Sequence, residues 1–352
     1  MSTSSSAVTK AATVEKVDTI WYTRCPVPTA TGIALDHGWL NDAFQAQDID
    51  LVSIRDHEDP TRRASHFNHQ GFGLFREGGN IPAIWARARG ESTVVVGLTW
   101  VDEAQFLLAR PQSGIRNEQD LKGKKLGLTR RPGETIDFVR AMALHGFASA
   151  LQVGGLTLDD VQIVEIDAPA VELRRAEPDR PWRDPTFDAL LAGEIDVAYI
   201  KGAPAIALRE AYSLIVVADL NTYLDPALRI NNGTPRPVTV DRAFASQHPQ
   251  LVARYLSVLL RASEWAEVHA QDVFRIVAAE TSTMPQDVER AYGARLPWSL
   301  GITLDVERIA ALTAQKEFLL AHGFLAGDFS VEEWIDPVPL ALARKLHEAE
   351  QP

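Results

Sequence analysis

Sulfur is almost absent from this chain. Its 352 residues include one cysteine, Cys25, and three methionines. A lone cysteine closes no internal disulfide, so nothing demands an oxidising compartment, and paired-cysteine metal or redox motifs are ruled out. Also missing is any apolar run long enough to cross a bilayer. Basic residues are the minority, 35 Lys and Arg against 47 Asp and Glu for a formal net charge of −12, and they form no run. Nucleic acid and anionic membranes need a concentrated basic face, so neither partner is expected. There is no Walker loop, no dinucleotide glycine fingerprint and no GxSxG elbow, and no motif that calls for a cofactor.

What is present is a soluble globular composition, 46% hydrophobic and 23% charged, with length for about two domains at the usual ~100–200 residues each. The opening residues are small and polar and lack the apolar core of a secretory signal. Residues 1–16 are expected to form a disordered lead, and the cytoplasm is the expected compartment. Short β-branched runs at 49–54, 93–99, 125–128, 161–166, 196–200 and 214–218 alternate with amphipathic stretches. That alternation reads as α/β layers around a mainly parallel sheet.

From Pro249 onward the chain turns helical. Val252, Tyr255, Leu256 and Leu259 fall at helical spacing behind a first-turn proline, and further helices are expected over 286–292, 305–322 and 331–345. The polar stretch near Pro111 reads as entry into a second lobe, left again near Asp219. Residues 17–110 and 220–352 would then make lobe 1, and 111–219 lobe 2. Ligands in such sheets sit beyond the carboxyl ends of strands, so the cleft between lobes is the expected site. A few arginines there could hold a small anion despite the acidic background. A monomer is the working expectation.

Cys25 stands in "YTRCPVP", with Thr23 two residues back, Arg24 adjacent, and Pro26 and Pro28 stiffening the turn. A neighbouring cation lowers a thiol pKa, although a free cysteine also serves simply as a small buried hydrophobe. A second segment, "SHFNHQGFGLFREGGNIP", holds His66 and His69, then Arg76, then Gly78 and Gly79 before a helix start. Glycines there let backbone N–H groups approach an anion. Arg76 offers a planar fork for two oxygens, and His66 a group that titrates near neutrality. Cys25, His66 and His69 fall short of the four ligands of structural zinc. Lys201, at a strand end facing the cleft, could meet an anionic or hydroxylated ligand. Arg130, Arg131 and the "NNGTPRP" loop from Asn231 are ambiguous between site and surface.

The combination "CPVP", then "HF" at His66, then an arginine ten residues on followed by "GG" and "IP", resembles the 2'-hydroxybiphenyl-2-sulfinate desulfinase family. These enzymes are cytoplasmic relatives of the periplasmic nitrate-, sulfonate- and taurine-binding proteins. The resemblance implies a two-lobed, periplasmic-binding-protein-like (type II) α/β fold with C-terminal helices. It implies hydrolysis of a carbon–sulfur bond without metal or cofactor, on an anionic sulfinate or sulfonate-like small molecule. Cys25 becomes the essential thiol, His66 its partner, Arg76 the sulfinate anchor, Gly79 a backbone donor, and Thr23 the hydroxyl that positions the histidine. Two departures bear on substrate shape. The stretch from Leu128 to Met142 reads as shorter by about one helix, and Ile200-Lys201 follows Tyr199 where an aromatic wall would serve a biphenyl. The other reading is a non-catalytic solute-binding protein of a sulfonate, taurine or nitrate importer, or a cytoplasmic sensor derived from one.

Overall fold

The computed structural model describes residues 16–169 and 184–350. The expected disordered lead, but for Lys16, lies outside the described residues. The described residues form ten strands: β1 (Thr19–Arg24), β2 (Asp50–Ser53), β3 (Leu74–Glu77), β4 (Thr93–Thr99), β5 (Gln105–Ala109), β6 (Lys125–Arg130), β7 (Gln162–Asp167), β8 (Val197–Lys201), β9 (Ile215–Asp219) and β10 (Arg236–Asp241).

They build two five-stranded sheets on one plan. The first runs β2-β1-β3-β10-β4, the second β7-β6-β8-β5-β9. In the first, β1 pairs parallel with β2 and β3, while β10 lies antiparallel between β3 and β4. In the second, β6 pairs parallel with β7 and β8, while β5 lies antiparallel between β8 and β9. The chain passes from one sheet to the other between β4 and β5 and returns between β9 and β10. Each sheet thus takes its one antiparallel strand from the segment that has just arrived.

The six strands read from β-branched runs are β2, β4, β6, β7, β8 and β9, with ends shifted by two residues at most. Four others carried weaker signals. β5 is buried at every position and shows no polar alternation. It pairs in the second sheet, so the crossing falls before Gln105 and not at the expected 110/111 boundary. β10 opens with Arg236-Pro237, a pair that masks strand propensity. The helix expected over 331–345 is also two elements: a 3₁₀ turn at Glu332–Trp334, then a helix over Val338–Glu350. Pro337 separates them, since proline disfavours helix at the preceding residue. Trp334 anchors the junction, fully buried with its indole N–H donating to the Thr93 hydroxyl at 3.1 Å.

The C-terminal helices complete the core. Tyr255, Leu256 and Leu259 of the helix Pro249–Val268 pack with Ile20, Phe75, Val238 and Val240 of the first sheet. A second cluster takes in both sheets: Val95 and Leu98 of β4, Leu107, Leu126 and Val197 of the second sheet, and Leu312 and Leu319 of the helix Val306–Ala321. Among the described residues, no helix is long and apolar enough to cross a membrane.

Candidate active site

Strand alternation decides which side chains meet. Successive residues of a strand point to opposite faces, so Thr23 and Cys25 share one face of β1 and Arg24 takes the other. Thr23 lies in register beside Arg76 of β3, and the Cys25 N–H donates to the Glu77 carbonyl at 3.1 Å just past the strand end. Three of the expected residues are therefore neighbours by sheet register alone.

His66 comes from the last turn of a helix over Pro60–Asn68, which Asp59 caps by accepting from the Thr61 N–H. Its buried ring lies between the two β1 side chains. Nδ1 is 2.8 Å from the Thr23 hydroxyl, and Nε2 is 3.8 Å from the Cys25 Sγ. Arg76 ties down the same helix, with Nε donating to the His66 carbonyl at 2.7 Å and a terminal nitrogen donating to the Gly79 carbonyl at 3.1 Å.

Gly78 and Gly79 are required by close approach. A Cβ on Gly78 would sit 2.8 Å from the Arg76 guanidinium carbon, and one on Gly79 would sit 2.4 Å from the Asn232 amide. Gly79 opens the helix Asn80–Ala88. The next two N–H groups are already taken, Asn80 N–H by the Asn232 carbonyl at 2.7 Å and Ile81 N–H by the Asn232 Oδ1 at 3.0 Å. Of the first three N–H groups of this helix start, that of Gly79 has no hydrogen-bond partner among those found in the described residues. The loop after Asn231 is thus part of the site as a cap supplied from the second crossing.

Arg24 corrects one expectation. It forms an ion pair with Glu280, on the opposite side of β1 from the thiol. The cations that act on Cys25 are more distant in sequence. Burial raises the thiol pKa, but hydrogen bonding and charge from His66, with the fields of Arg236 and Arg76, bring it well below the ordinary thiol range. Burial lowers the pKa of His66 in spite of the thiol, and burial brings Arg76 down to about 10 against the opposing pull of Cys25. Neither Arg76 nor Arg236 has an ion-paired carboxylate among the described residues, and both are buried.

Arg236 was missed by sequence reasoning. It was one arginine in a proline-rich loop, and its role depends on β10 lying beside β3. The signal that could have found it is the Asn-Asn-Gly turn before it: Gly233 leaves room for the guanidinium, a terminal nitrogen of which is 2.8 Å from where its Cβ would be.

Other candidates fall elsewhere. The His69 ring is buried and held neutral by burial and by Arg76. Among the described residues no group of three or more His, Cys, Asp or Glu is arranged to hold a metal. Lys201 is not in contact with the thiol group among the described residues. It pairs with Glu103 and lines a cavity of about 270 Å³ with Thr129, Arg131, Met142 and Tyr199. Arg130 is paired with Asp167 at the surface. Between β6 and the helix Phe138–Val153 there is only loop. Phe138 stacks on Phe67 at 6.4 Å between ring centres, joining this cavity's helix to the one that carries His66.

Two sheets joined by two crossings, each completed by an arriving antiparallel strand, with C-terminal helices behind, define a two-lobed protein of the periplasmic-binding-protein-like type II class. The chain is similar along nearly its whole length to 2'-hydroxybiphenyl-2-sulfinate desulfinase of Rhodococcus erythropolis, at 25% identity over 351 residues that cover 91% of this chain and 92% of that protein. Its fold matches a crystal structure of a cysteine-to-serine mutant of the desulfurization enzyme DszB in complex with biphenyl-2-sulfinic acid, with a TM-score of 0.73 at 24% identity over 94% of this chain and 99% of that one. It also matches the periplasmic aliphatic sulphonate-binding protein SsuA from Escherichia coli, with a TM-score of 0.64 at 16% identity over 91% and 92% of the two chains. No protein-family model matches the chain.

Proposed function

We propose that this protein is a desulfinase-like hydrolase that cleaves the carbon–sulfur bond of an aryl or related sulfinate and releases sulfite, with Cys25 as its essential group. One observation carries the reading: a thiol set between His66 and two arginines without carboxylate partners, its pKa brought well below the ordinary range. A receptor for an anion gains nothing from a thiolate, whose charge opposes the ligand. A nucleophile gains everything from it.

In the reaction a sulfinate and water give the desulfinated organic product and bisulfite. Arg76 and the Gly79 N–H hold the sulfinate oxygens, which draws electron density from sulfur. The thiolate attacks sulfur, the carbon–sulfur bond breaks with its electron pair on carbon, and carbon takes up a proton. Water then adds to the sulfur held on Cys25, freeing bisulfite; the proton carbon took up is balanced by the one this water gives. The other route, with the thiol as proton donor to carbon, needs the S–H form that these surroundings disfavour. We assign the enzyme to the cytoplasm, where a reactive thiolate stays reduced.

The second reading, a sulfonate-type binding protein or a sensor derived from one, draws on the likeness in fold to sulfonate-binding proteins. The test is sulfite release from 2'-hydroxybiphenyl-2-sulfinate and a panel of smaller aryl and alkyl sulfinates, by wild type and Cys25→Ser side by side. Sulfite that depends on the thiol supports the hydrolase. Tight calorimetric binding of a sulfonate with no sulfite from any member supports the receptor.

A further inference from the structure

Sulfinate brings two oxygens to sulfur, and the product leaves with three. Arg76 and the Gly79 N–H account for the first two. The third comes from water and needs its own receptor at the moment of hydrolysis. Arg236 is placed for it. It opens β10, which lies antiparallel beside β3, and is 4% exposed. Its Nε is buried and has no hydrogen-bond partner, and among the described residues no carboxylate lies within ion-pair distance of it.

The two guanidiniums pack against two turns that meet at Gly79 and Asn232. The Arg76 head packs where a Cβ of Gly78 would be, and the Arg236 head packs 2.8 Å from where a Cβ of Gly233 would be. The two turns touch where the Asn232 amide occupies the space over Gly79. The field of Arg236 reaches Cys25, Arg76 and Glu77 alike. A buried arginine with a free donor and no ion-paired carboxylate is costly unless an anion completes it; Glu77 and the thiolate lie within its field, but neither takes up the Nε donor.

We propose that Arg236 is a second oxyanion-binding residue, which receives the water-derived oxygen and makes the site a receptor for sulfite, a three-oxygen anion carrying up to two charges. This rests on the desulfinase reading for its place in the reaction, but the binding it predicts does not require turnover. The consequence is strong product retention. Sulfite should inhibit competitively, and loss of Arg236 should relieve that inhibition more than it raises KM for the sulfinate.

The test uses the full chain with Arg236→Gln and Arg236→Lys. Sulfite affinity is measured by calorimetry, KM and kcat on whichever sulfinate is turned over, and folding by thermal melt. The expected result is sulfite binding weakened roughly 10- to 100-fold in Arg236→Gln, the loss carried by a buried charge-assisted hydrogen bond, and partial recovery in Arg236→Lys, which keeps the charge but not the fork. KM should change less than sulfite affinity. Should Arg236→Gln not fold, the lysine variant alone decides, by a weaker sulfite affinity. Unchanged sulfite affinity in a folded variant overturns the proposal. Loss of sulfite binding in a protein that turns over no sulfinate sinks the hydrolase reading and leaves the anion receptor standing.

Discussion

The Thr23 hydroxyl lies 2.8 Å from Nδ1 of His66, and so governs what the other ring nitrogen does. When the hydroxyl donates to Nδ1, the ring carries its proton on Nε2, which faces Cys25 Sγ at 3.8 Å. That tautomer presents a donor to a thiolate. The reverse tautomer presents an acceptor to a thiol. Because Thr23 and Cys25 are two apart on one strand face, one element sets both ends of the histidine.

Thr23→Val keeps the shape and removes the hydroxyl. It should raise the thiol pKa and slow kcat about tenfold, near the worth of one hydrogen bond, with little change in KM. The readout that separates positioning from simple damage is the pH profile of thiol alkylation, which should move up in Thr23→Val and return with Thr23→Ser. An unmoved profile would mean that the contact is only packing.

The wild-type thiol makes its own prediction. Its folded pKa lies below the unfolded value, so the thiolate persists to a pH where an ordinary cysteine is protonated. Iodoacetamide should therefore label Cys25 at a rate that inflects well below the ordinary thiol range, and denaturation should move the inflection up. By linkage the same shift stabilises the fold above the unfolded thiol pKa, and that stabilisation is lost as pH falls through the folded value. An inflection in the ordinary range would remove the basis for nucleophilic attack.

Much of this site was legible in the sequence, and for a physical reason. Cys25, Arg76 and Gly79 stand out on local features, a proline-stiffened strand end and a glycine pair before a helix, that can be read from a short stretch of sequence even though distant partners tune them. What failed depended on pairing. Arg24 sits next to Cys25 in sequence but on the other strand face. Arg236, 211 residues from Cys25 by their numbers, reaches it only because β10 inserts between β3 and β4. The fold was legible where β-branched runs were long, and illegible at β1, β3, β5 and β10, where aromatic, charged or proline residues break the pattern. Lys201 stood at a strand end as expected, but Glu103 claims its charge.

Gly79→Ala tests the close approach. The new Cβ would fall 2.4 Å from the Asn232 amide, which caps the helix through the Ile81 N–H. We expect a loss of about 1–3 kcal/mol in stability, the usual range for forcing an atom into a packed site, together with weaker sulfite binding. Adding Asn232→Ala removes the clash and should make the double variant more stable than the sum of the two single changes implies. Strict additivity in urea unfolding would show that the two side chains do not meet.

A last prediction concerns acid stability. His145, in the helix Phe138–Val153, is buried beneath Phe318, with ring centres 4.0 Å apart, and its Nδ1 lies 2.5 Å from Gln315 Oε1. The Gln315 amide in turn donates to Asn80 Oδ1 at 3.2 Å, and the Asn80 side chain donates to the Asn231 and Pro235 carbonyls. This chain of contacts links the second sheet's helix to the turn before Arg236. Burial lowers the His145 pKa from 6.5 to about 4, so between those values the unfolded state binds the proton and the native state does not. Stability must then rise with pH through that window and fall as the protein is acidified from 6.5 toward 4, by up to about 3 kcal/mol from this one residue. His145→Asn keeps an amide to pair with Gln315 and has nothing to titrate. Its unfolding free energy at pH 7 should be lower than wild type for lost packing, but the difference should shrink, or reverse, near pH 4.5. Parallel urea curves for the two proteins across that range would show that His145 takes up its proton in the native state as readily as in the unfolded one, and that burial does not hold it neutral against the Gln315 contact, which favours the proton.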